Sequence, residues 1–268
     1  MTFNQTAAEL LVRIRKVHPL IHHMTNYVVM NDTANATLAL GAFPVMAHAR
    51  EEVAEMVRAA GALVLNPGTL DSAWIRSMLI AGKEANRRGV PIVYDPVGVG
   101  ATRLRTRTGE KFLKELRISV IRGNSGEVGA LSGAGGVVKG VESVEGVADP
   151  AAVAKSLAAA QRTVVAITGK RDIISDGTRV MGADNGHEML KVVTGTGCMS
   201  TTVVAVFCAV EKDYLTAATA ALACYGLAAE KAAEHTKGPG SFRAALLDAL
   251  YGLTPEQVAA GLRVVDLG

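Results

Sequence analysis

The stretch "ISVIRGNSGE", Ile118 to Glu127, shows the pattern that decides the fold. A short apolar run rich in β-branched residues ends in a polar break that contains glycine, and a helix-like segment follows. The pattern occurs again in "ALVLNPG" from Ala62, "PIVYDPVGVG" from Pro91 and "TVVAITGKRD" from Thr163. Short apolar runs between turn residues are typical of strands that are buried on both faces of a parallel sheet.

Helix-like segments separate these strands, over residues 71–88, 107–116 and 149–161. Alternating strands and helices predict an α/β fold with a mostly parallel central sheet and helices on both faces. "DIISDGTRVMG" from Asp172 differs, because Asp176-Gly177 is a hairpin signal, and it predicts an antiparallel edge to the sheet. After Gly197 the chain is predicted to be helical almost to its end, over 199–210, 214–235 and 241–251.

The length and composition fit one folded domain over residues 1–268. Apolar residues make up 49% of the chain and charged residues 20%, which allows a sizeable core. Residues 133–146, "GAGGVVKGVESVEG", are the most flexible-looking segment. They are too short to divide domains, so we predict a surface loop there.

The charge pattern excludes several classes of function. The net charge is only +3, and the basic run of Arg103, Arg105 and Arg107 has almost no aromatic residues nearby. We therefore interpret this run as a solvated face and expect no nucleic-acid partner. Charged residues within positions 1–20 argue against a signal peptide, and no apolar stretch reaches membrane-spanning length. We expect a soluble, cytoplasmic protein that acts on small molecules.

The three cysteines argue against a disulfide framework and a structural zinc site, because their number is odd and no CxxC pair occurs. Cys208 and Cys224 lie in apolar helix-like runs and are predicted to be core residues. Cys198 differs, because it follows Gly195 and Gly197 at the start of a predicted helix.

Five glycine-bearing polar loops are predicted to open at one edge of the sheet, because the carboxyl ends of parallel strands meet there. One such loop is common, but five on one edge indicate a site. The loops begin at Asn66, Asp95, Arg122, Thr168 and Thr194, the last after a predicted strand in "MLKVV".

The loop from Thr194 to Cys198 is the most specific of the five. Gly195 and Gly197 permit a tight turn and a close approach to a ligand, and the free N–H groups of a helix start favour an anion. The alternative is a plain glycine turn with Thr196 as a helix cap. The sequence contains no Walker loop. It also lacks the dinucleotide fingerprint GxGxxG, because Ser200 stands where the third glycine would follow Gly195 and Gly197.

Asp95 and Glu127 are the candidate metal ligands. Each follows a strand, and Mg²⁺ binds through one or two carboxylates together with phosphate oxygens and water. Asn124 is predicted to face the same side of a helix start as Glu127. The alternative is structural, with Asp95 capping a loop and Glu127 interacting with a helix dipole. Three histidines lack a third ligand at metal spacing, and we expect them to be satisfied and partly buried: His22, His23 and His48.

These residues resemble a known family. Asn124-x-x-Glu127 and a Gly-x-Gly anion loop before a helix are similar to the ribokinase superfamily in its vitamin-kinase branch. More narrowly, the chain resembles the hydroxyethylthiazole kinase family. The matching segments span nearly the whole chain: "HHMTNYVVMNDTANATLALGAFPVMAHA", "DPVGVGAT", "VIRGNSGE", "TGTGCM" and "GPGSFRAALLDALY". The resemblance implies a ribokinase-like three-layer α/β/α fold.

The resemblance also implies an activity. This is ATP- and Mg²⁺-dependent phosphorylation of the hydroxyethyl group of 4-methyl-5-(2-hydroxyethyl)thiazole, a thiamine salvage step, by a homotrimer with active sites between subunits. By motif, Asp95 and Glu127 would organise Mg²⁺. The residues that would contact ATP are Arg122, Thr168 and Asn124. The residues that would line the thiazole pocket are Asn26, Val28, Met46, Gly68 and Gly195.

Two residues depart from the family pattern near the presumed pocket. Phe43 stands where a small residue is expected, and Pro67 replaces an aliphatic residue before Gly68. Both are expected to border the pocket and to change its shape.

Cys198 occupies the position where most ribokinase-like enzymes have an Asp after the Gly-x-Gly. With Gly195 and Gly197 it forms the candidate catalytic loop. A helix N-terminus lowers the pKa of a thiol, which predicts a partly ionised Cys198 that takes the proton of the substrate hydroxyl or orients it. The alternative is a small residue of the pocket wall.

Three other functions stay open from the sequence. A kinase for a related vitamin alcohol, such as hydroxymethylpyrimidine, would differ in its pocket residues. A non-catalytic nucleotide-binding sensor would keep the fold without turnover. A cysteine-dependent transferase or hydrolase would use Cys198 as a covalent nucleophile, although no general base follows it in the sequence.

Overall fold

The structure is a computed structural model. It describes residues 1–134 and 147–268 in full, and the backbone alone of the two short strands at 137–139 and 142–145. The surface loop predicted over 133–146 is wrong at 137–139 and 142–145, which form two antiparallel strands, and at 135–136, 140–141 and 146 the prediction lies outside the described residues.

A nine-stranded sheet forms the centre of the described structure, and its strands follow the order β11-β10-β9-β8-β5-β4-β3-β1-β2. The block from β8 to β2 is parallel throughout, whereas β9, β10 and β11 pair antiparallel at the other side. Strands β6 and β7 form a separate antiparallel pair. The strands are β1 (Leu20–Met24), β2 (Phe43–Val45), β3 (Ala62–Leu65), β4 (Ile92–Tyr94), β5 (Val120–Asn124), β6 (Val137–Lys139), β7 (Glu142–Glu145), β8 (Val164–Thr168), β9 (Asp172–Ser175), β10 (Val180–Ala183) and β11 (Val264–Asp266).

Helices cover both faces of this sheet, which confirms the predicted α/β fold class. Within the described residues, no helix combines the length and the apolar character needed to cross a bilayer. The helices are α1 (Phe3–Val17), α2 (Met30–Ala39), α3 (Val53–Ala59), α4 (Ser72–Arg88), α5 (Arg103–Glu115), α6 (Ser125–Ser132), α7 (Pro150–Gln161), α8 (Thr196–Cys208), α9 (Tyr214–Glu234), α10 (Pro239–Gly252) and α11 (Pro255–Gly261).

Two apolar cores lie on the two faces of the sheet, because successive strand residues point to opposite sides. Val64 packs into the core beneath α1, α2 and α8 to α11, whereas its neighbours Leu63 and Leu65 pack into the core beneath α3 to α7. All three side chains are buried. Burial on both faces explains why the central strands read as continuous apolar runs in the sequence.

One prediction about the strands is wrong and another is incomplete. The segment "MLKVV" forms no strand, since Glu188–Lys191 is a short 3₁₀-helix whose Met189 and Leu190 pack on the core beside α8 and α9. The hairpin around Asp176-Gly177 is present, but β10 is not the outermost strand. The chain returns after α11 and β11 pairs with β10, which covers backbone groups that would otherwise form an open edge.

Strands β1 and β2 were not predicted from their sequences. In β1, the run "LIHHM" has His22 and His23 in place of the apolar residues by which a buried strand is recognised. Strand β2 has only three residues. The register with β3 nevertheless buries all of β1 except Leu20. Tertiary pairing thus overrides weak local preference in this part of the sheet.

Candidate active site

The parallel strands end level with one another and release their polar loops side by side. Met24 of β1 pairs with Leu65 of β3, and Leu65 pairs with Tyr94 of β4. The residues that begin the next loops, Asn66 and Asp95 among them, therefore lie at one edge of the sheet. The loops from Asn66 and Asp95 follow their strands as predicted. The loop predicted from Arg122 is wrong, since β5 continues to Asn124 and α6 follows directly, and Thr168 is still the last residue of β8. The loop from Thr194 follows the 3₁₀-helix Glu188–Lys191 and leads into α8.

Asn66 lies at the centre of this edge and uses both ends of its side-chain amide. Its Nδ2 donates to Asp95 Oδ2 at 3.0 Å and to Cys198 Sγ at 3.1 Å. Its Oδ1 accepts from Asn26 Nδ2 at 2.9 Å and from the Gly68 amide at 3.2 Å. The buried Asn66 thus connects the predicted metal, catalytic and pocket residues.

Asn66 was not among the predicted site residues. The signal that identifies it is its register, because it is the first residue after β3, just as Asp95 is the first after β4. An amide is also less conspicuous in a sequence than a carboxylate, since an amide does not titrate.

Asp95 is buried and surrounded by donors. Besides Asn66, Thr201 donates to its Oδ2 at 2.8 Å, and Arg122 Nη1 lies 4.0 Å from the same oxygen. Burial raises the pKa of Asp95, while Arg122, Thr201 and Asn66 act in the opposite direction. Thr201 is a second site residue that the sequence did not reveal, since it comes one helical turn after Gly197.

Glu127 is held in place by backbone donors. Its Oε1 accepts from the Gly98 amide at 2.9 Å and its Oε2 from the Asn124 amide at 3.0 Å, while Asn124 Oδ1 accepts from the Glu127 amide at 2.9 Å. This capping box begins α6 and places Asn124 and Glu127 on the same side, as predicted. Burial, followed by the nearby Asp95 charge, raises the pKa of Glu127 to about 7.

Arg122 lies between β8 and the start of α8. Its Nη2 donates to Thr168 Oγ1 at 2.5 Å, and Thr168 Oγ1 donates in turn to the Gly123 carbonyl at 3.3 Å. A Cβ atom on Gly197 would lie 3.1 Å from Arg122 Nη1, so a larger residue there would shift this guanidinium by a few tenths of an ångström. The buried Nε of Arg122 has no hydrogen-bond partner in the protein. A positive charge with an unpaired donor favours an anion.

The start of α8 supplies further donors at the same place. Gly195 is the N-cap with φ of 87°, a left-handed conformation that favours glycine, and a Cβ there would lie 2.9 Å from Val29 Cγ1. The alternative of Thr196 as a helix cap is wrong, since its hydroxyl donates to the Leu190 and Val193 carbonyls instead. The first N–H groups of α8 have no partner within the helix and can receive an anion.

The expected lowering of the Cys198 pKa is wrong for this environment. Cys198 lies in the first turn of α8, but burial and the Asp95 charge raise the pKa of its thiol to about 12. Hydrogen bonds from Asn66 at 3.1 Å and Asn26 at 3.6 Å act in the opposite direction without offsetting burial. The thiol is therefore neutral near pH 7, and its sulfur accepts from two amides.

The predicted pocket residues lie on the loops around Asn66. Gly68 packs against Asn26, because a Cβ on Gly68 would come within 2.7 Å of Asn26 Nδ2. Asn26 Oδ1 also accepts from the Val28 amide at 3.1 Å, while the Val28 side chain is 62% exposed. Met46 follows β2 at the same edge and is partly exposed.

Of the two departures from the family pattern, only Pro67 lies at this edge. Phe43 is the first residue of β2, at the opposite end of the parallel strand from the site, where its ring stacks on His18 at 5.5 Å. The expectation that Phe43 borders the pocket is wrong, since parallel strands put their first residues on the far edge.

His22 and His23 are more buried than expected and His48 is partly buried as expected, but each of the three has a ring nitrogen without a hydrogen-bond partner. His22 Nε2 bonds the Ala47 carbonyl at 2.7 Å and His23 Nε2 bonds Thr37 Oγ1 at 3.0 Å, but the Nδ1 atoms of both have no partner. Burial lowers the pKa of His22 to about 4 and that of His23 to about 3. Nε2 of His48 is also unpartnered, and the ring packs on Trp74 at 4.3 Å. Among the described residues, no metal-binding cluster of three or more such side chains occurs.

The sheet order and the helices on both faces define a member of the ribokinase-like fold class. A ribokinase-like superfamily protein from Enterococcus faecalis V583 shares this fold with a TM-score of 0.61 at 14% identity, covering 88% of this chain and 87% of that one. The chain belongs to the hydroxyethylthiazole kinase family, since the model of that family matches residues 11–256.

Close relatives agree with this assignment. A hydroxyethylthiazole kinase from Chloroflexus aggregans is 63% identical over 267 residues, which are 100% of this chain and 96% of the relative. The solved structure of a hydroxyethylthiazole kinase from Pyrococcus horikoshii OT3 has a TM-score of 0.91 and 46% identity, covering 98% of this chain and 99% of that one. The family resemblance read from the sequence motifs is confirmed.

Proposed function

We propose that the protein transfers the γ-phosphoryl group of ATP to the hydroxyl of 4-methyl-5-(2-hydroxyethyl)thiazole. The observation that carries this proposal is the convergence of the α8 N-terminus, the buried Arg122 and the Asp95–Asn66–Cys198 network on one sheet edge. Phosphoryl transfer demands little covalent chemistry, so positioning and neutralisation of charge account for most of the catalysis. The groups at this sheet edge supply both the positioning and the neutralisation of charge.

ATP would lie against Arg122, Thr168 and Asn124. The Arg122 guanidinium faces Gly197 and has a buried donor without a protein partner, and Thr168 fixes its orientation. The amides at Gly195 and Gly197 would hold phosphate oxygens at the start of α8. The positive charge of Arg122 and the helix N-terminus would stabilise negative charge that develops on the transferred group.

Asp95 and Glu127 fit a Mg²⁺ ion. Both carboxyl groups are buried and the charge of Asp95 raises the pKa of Glu127, an arrangement that a nearby cation would relieve. Both oxygens of Glu127 already accept backbone N–H groups, so Glu127 would act through a metal-bound water and Asp95 more directly. Mg²⁺ would neutralise phosphate charge when bound.

The thiazole ring would be held by the loops that carry Asn26, Val28, Met46, Gly68 and Gly195. The amides of Asn26 and Asn66 are cross-linked, which fixes the polar wall of this pocket. A residue larger than glycine at position 68 would displace Asn26, so the shape of this pocket wall depends on Gly68. Pocket shape would therefore decide between this substrate and hydroxymethylpyrimidine or other vitamin alcohols.

Cys198 would orient the substrate hydroxyl and not act as its base. Its sulfur accepts from Asn66 and Asn26, so the S–H is the group left to donate to a third atom, such as the alcohol oxygen. A raised pKa keeps that proton in place. A loose transition state needs little help from a base, so the hydroxyl proton would pass to an oxygen of the transferred phosphoryl group or to water as the new O–P bond forms and ADP leaves.

A coupled assay of ADP release tests the proposed function. The purified protein is assayed with MgATP and each vitamin alcohol in turn, with and without EDTA. We expect the highest kcat/KM with the thiazole alcohol and no turnover without Mg²⁺. Preference for hydroxymethylpyrimidine would indicate the related kinase. Tight ATP binding without turnover of any alcohol would indicate a nucleotide sensor. A burst of product with acyl substrates, lost when Cys198 is alkylated, would indicate a cysteine-dependent transferase.

We further propose that residues 1–268 form one catalytic domain that acts in the cytoplasm as a homotrimer. The continuous sheet and its two cores support one domain. The three cysteines are unpaired, which suits a reducing compartment. The exposed apolar side chains of Tyr27 and Val28 beside the pocket support a subunit contact there.

A further inference from the structure

Arg105 of α5 joins two of the loops at the candidate active site. Its Nη2 donates to the Gly68 carbonyl at 2.7 Å, and its Nη1 donates to the Val97 carbonyl at 2.9 Å and the Pro67 carbonyl at 3.2 Å. The solvated face predicted for the basic run is therefore wrong for Arg105. Its neighbours Arg103 and Arg107 are exposed and match that prediction.

These carbonyls need a donor, because the loops after β3 and β4 leave the sheet and lose their ladder partners. Arg105 supplies a rigid planar fork that reaches both loops at once, which a flexible ammonium group does less well. The start of α5 is itself attached to the second loop, since the Gly100 amide donates to Thr106 Oγ1 at 3.1 Å. Arg105 is therefore held at a fixed distance from both loops.

Each of the two loops carries groups of the candidate site on its other side. In the first loop, the Gly68 amide donates to Asn66 Oδ1, and Gly68 packs against Asn26. In the second, Asp95 and the Gly98 amide, which donates to Glu127, flank Val97. A shift of either loop would change the distance between the alcohol-binding wall and the carboxylates.

We propose that Arg105 is a positioning residue that holds the pocket loop and the acidic loop in register for phosphoryl transfer. It touches no proposed reacting atom and acts through Gly68 and Val97. The expected effect of Arg105 on the kinetics rests on the proposed function. The link that Arg105 makes between the two loops does not depend on any activity.

The test compares Arg105→Ala, Arg105→Lys and the matched control Arg107→Ala, which removes the same side chain one α-helical half-turn away at an exposed position. Hydrogen exchange is followed in peptides that cover residues 62–70 and 92–101. We expect Arg105→Ala to speed exchange in both peptides at once and Arg107→Ala to leave both unchanged. Equal exchange in the two alanine variants would overturn the link.

Kinetics then test positioning. We expect Arg105→Ala to lower kcat/KM by about 10- to 100-fold, because small misplacements of reacting groups have effects of this size, with Arg105→Lys intermediate. Millimolar guanidinium should restore part of the kcat of Arg105→Ala and leave Arg107→Ala unchanged. Faster exchange with unaltered kinetics would overturn the positioning role. If the parent phosphorylates no alcohol, the proposed function fails, while the exchange comparison still decides whether Arg105 joins the loops.

Discussion

Single residues at this site owe their chemistry to neighbours that are distant in sequence. Cys198 and Asn66 are 132 positions apart, yet one hydrogen bond of 3.1 Å joins them. Asn66 saturates its amide with four bonds, so it fixes the positions of Asp95, Cys198 and Asn26 together. The sequence singled out Asp95 and Cys198 as candidates, but it could not show that a neutral amide holds both.

The protonation state of Cys198 leads to a prediction about pH. Replacement of Cys198 by Ala should lower kcat about 5-fold, since one orienting hydrogen bond is lost, a net effect of roughly 1 kcal/mol. The shape of the kcat–pH profile from pH 6 to 9 should stay the same, because the pKa of the thiol is about 12. Cys198→Ser should recover part of the rate.

The result against this prediction would be a kcat that rises with pH through an apparent pKa near 8 in the parent, with the rise absent in Cys198→Ala. That outcome would restore the role of Cys198 as a general base. Thermal midpoints of both variants serve as the control for folding.

His23 allows a second prediction at this scale, about stability. Thr37 Oγ1 donates to the Thr33 carbonyl at 2.8 Å, so His23 Nε2 must donate to Thr37, and its buried Nδ1 stays without a proton or partner. Its pKa of about 3 in the folded state lies below the usual 6.5. The unfolded chain therefore takes up a proton below pH 6.5 that the folded protein does not, and stability falls as pH falls.

Between pH 7 and pH 5, His23 should cost the folded state about 2 kcal/mol, at 1.36 kcal/mol per pH unit below the unfolded pKa. The raised carboxyl pKa values of Glu127 and Asp172, about 7 and about 6, act in the opposite direction. The measurement is urea unfolding of the parent and His23→Gln at both pH values, with the exposed His235→Gln as control. A pH dependence that His23→Gln leaves unchanged would contradict the assignment.

At the scale of elements, the start of α8 is the feature that most defines the site. Gly195 turns the chain in a left-handed conformation, and Tyr225 of α9 donates to the Thr196 carbonyl at 2.8 Å. The Arg122 side chain packs against Gly197, which lies two residues after Gly195. Helix α8 thus begins at a place fixed from three sides, which keeps its free N–H groups aimed at the sheet edge.

Gly195→Ala tests this arrangement against Gly89→Ala. Both glycines have positive φ, 87° and 69°, but a Cβ on Gly89 meets no heavy atom within 4 Å, whereas one on Gly195 meets Val29 Cγ1 at 2.9 Å. We expect Gly89→Ala to lose only the roughly 1–2 kcal/mol of left-handed strain. Gly195→Ala should lose more and should also weaken ATP binding, as measured by urea unfolding and calorimetric titration. Equal losses of stability with unchanged ATP affinity would show that the Val29 contact does not matter.

At the scale of the whole molecule, the sheet separates stability from chemistry. Its two faces are covered by apolar helices, and the polar side chains gather at the carboxyl edge of the parallel strands. The antiparallel strands β9 to β11 extend the sheet on the side opposite β2, with β11 as the outermost strand. Tyr27 and Val28 remain exposed at the rim of the candidate pocket.

The proposed homotrimer is a prediction at this scale. Light scattering after size exclusion should give about three times the chain mass of 27.9 kDa over a range of protein concentrations. If active sites lie between subunits, Val28→Asp should lower both the trimer fraction and the activity, because a charge would enter an apolar contact. A mass of one chain together with full activity would contradict the trimer.

The sequence by itself determined the α/β layering, the hairpin around Asp176-Gly177 and the position of the polar loops. These features follow from local patterns: apolar runs of strand length, helical periodicity, and glycine where the backbone turns. Only the tertiary structure decided that Asn66 joins Asp95 to Cys198, that the Cys198 thiol stays protonated, and that Arg105 is not part of a solvated face. The physical reason is that pKa values and hydrogen-bond partners depend on burial and on neighbours across the sheet, which local sequence does not specify.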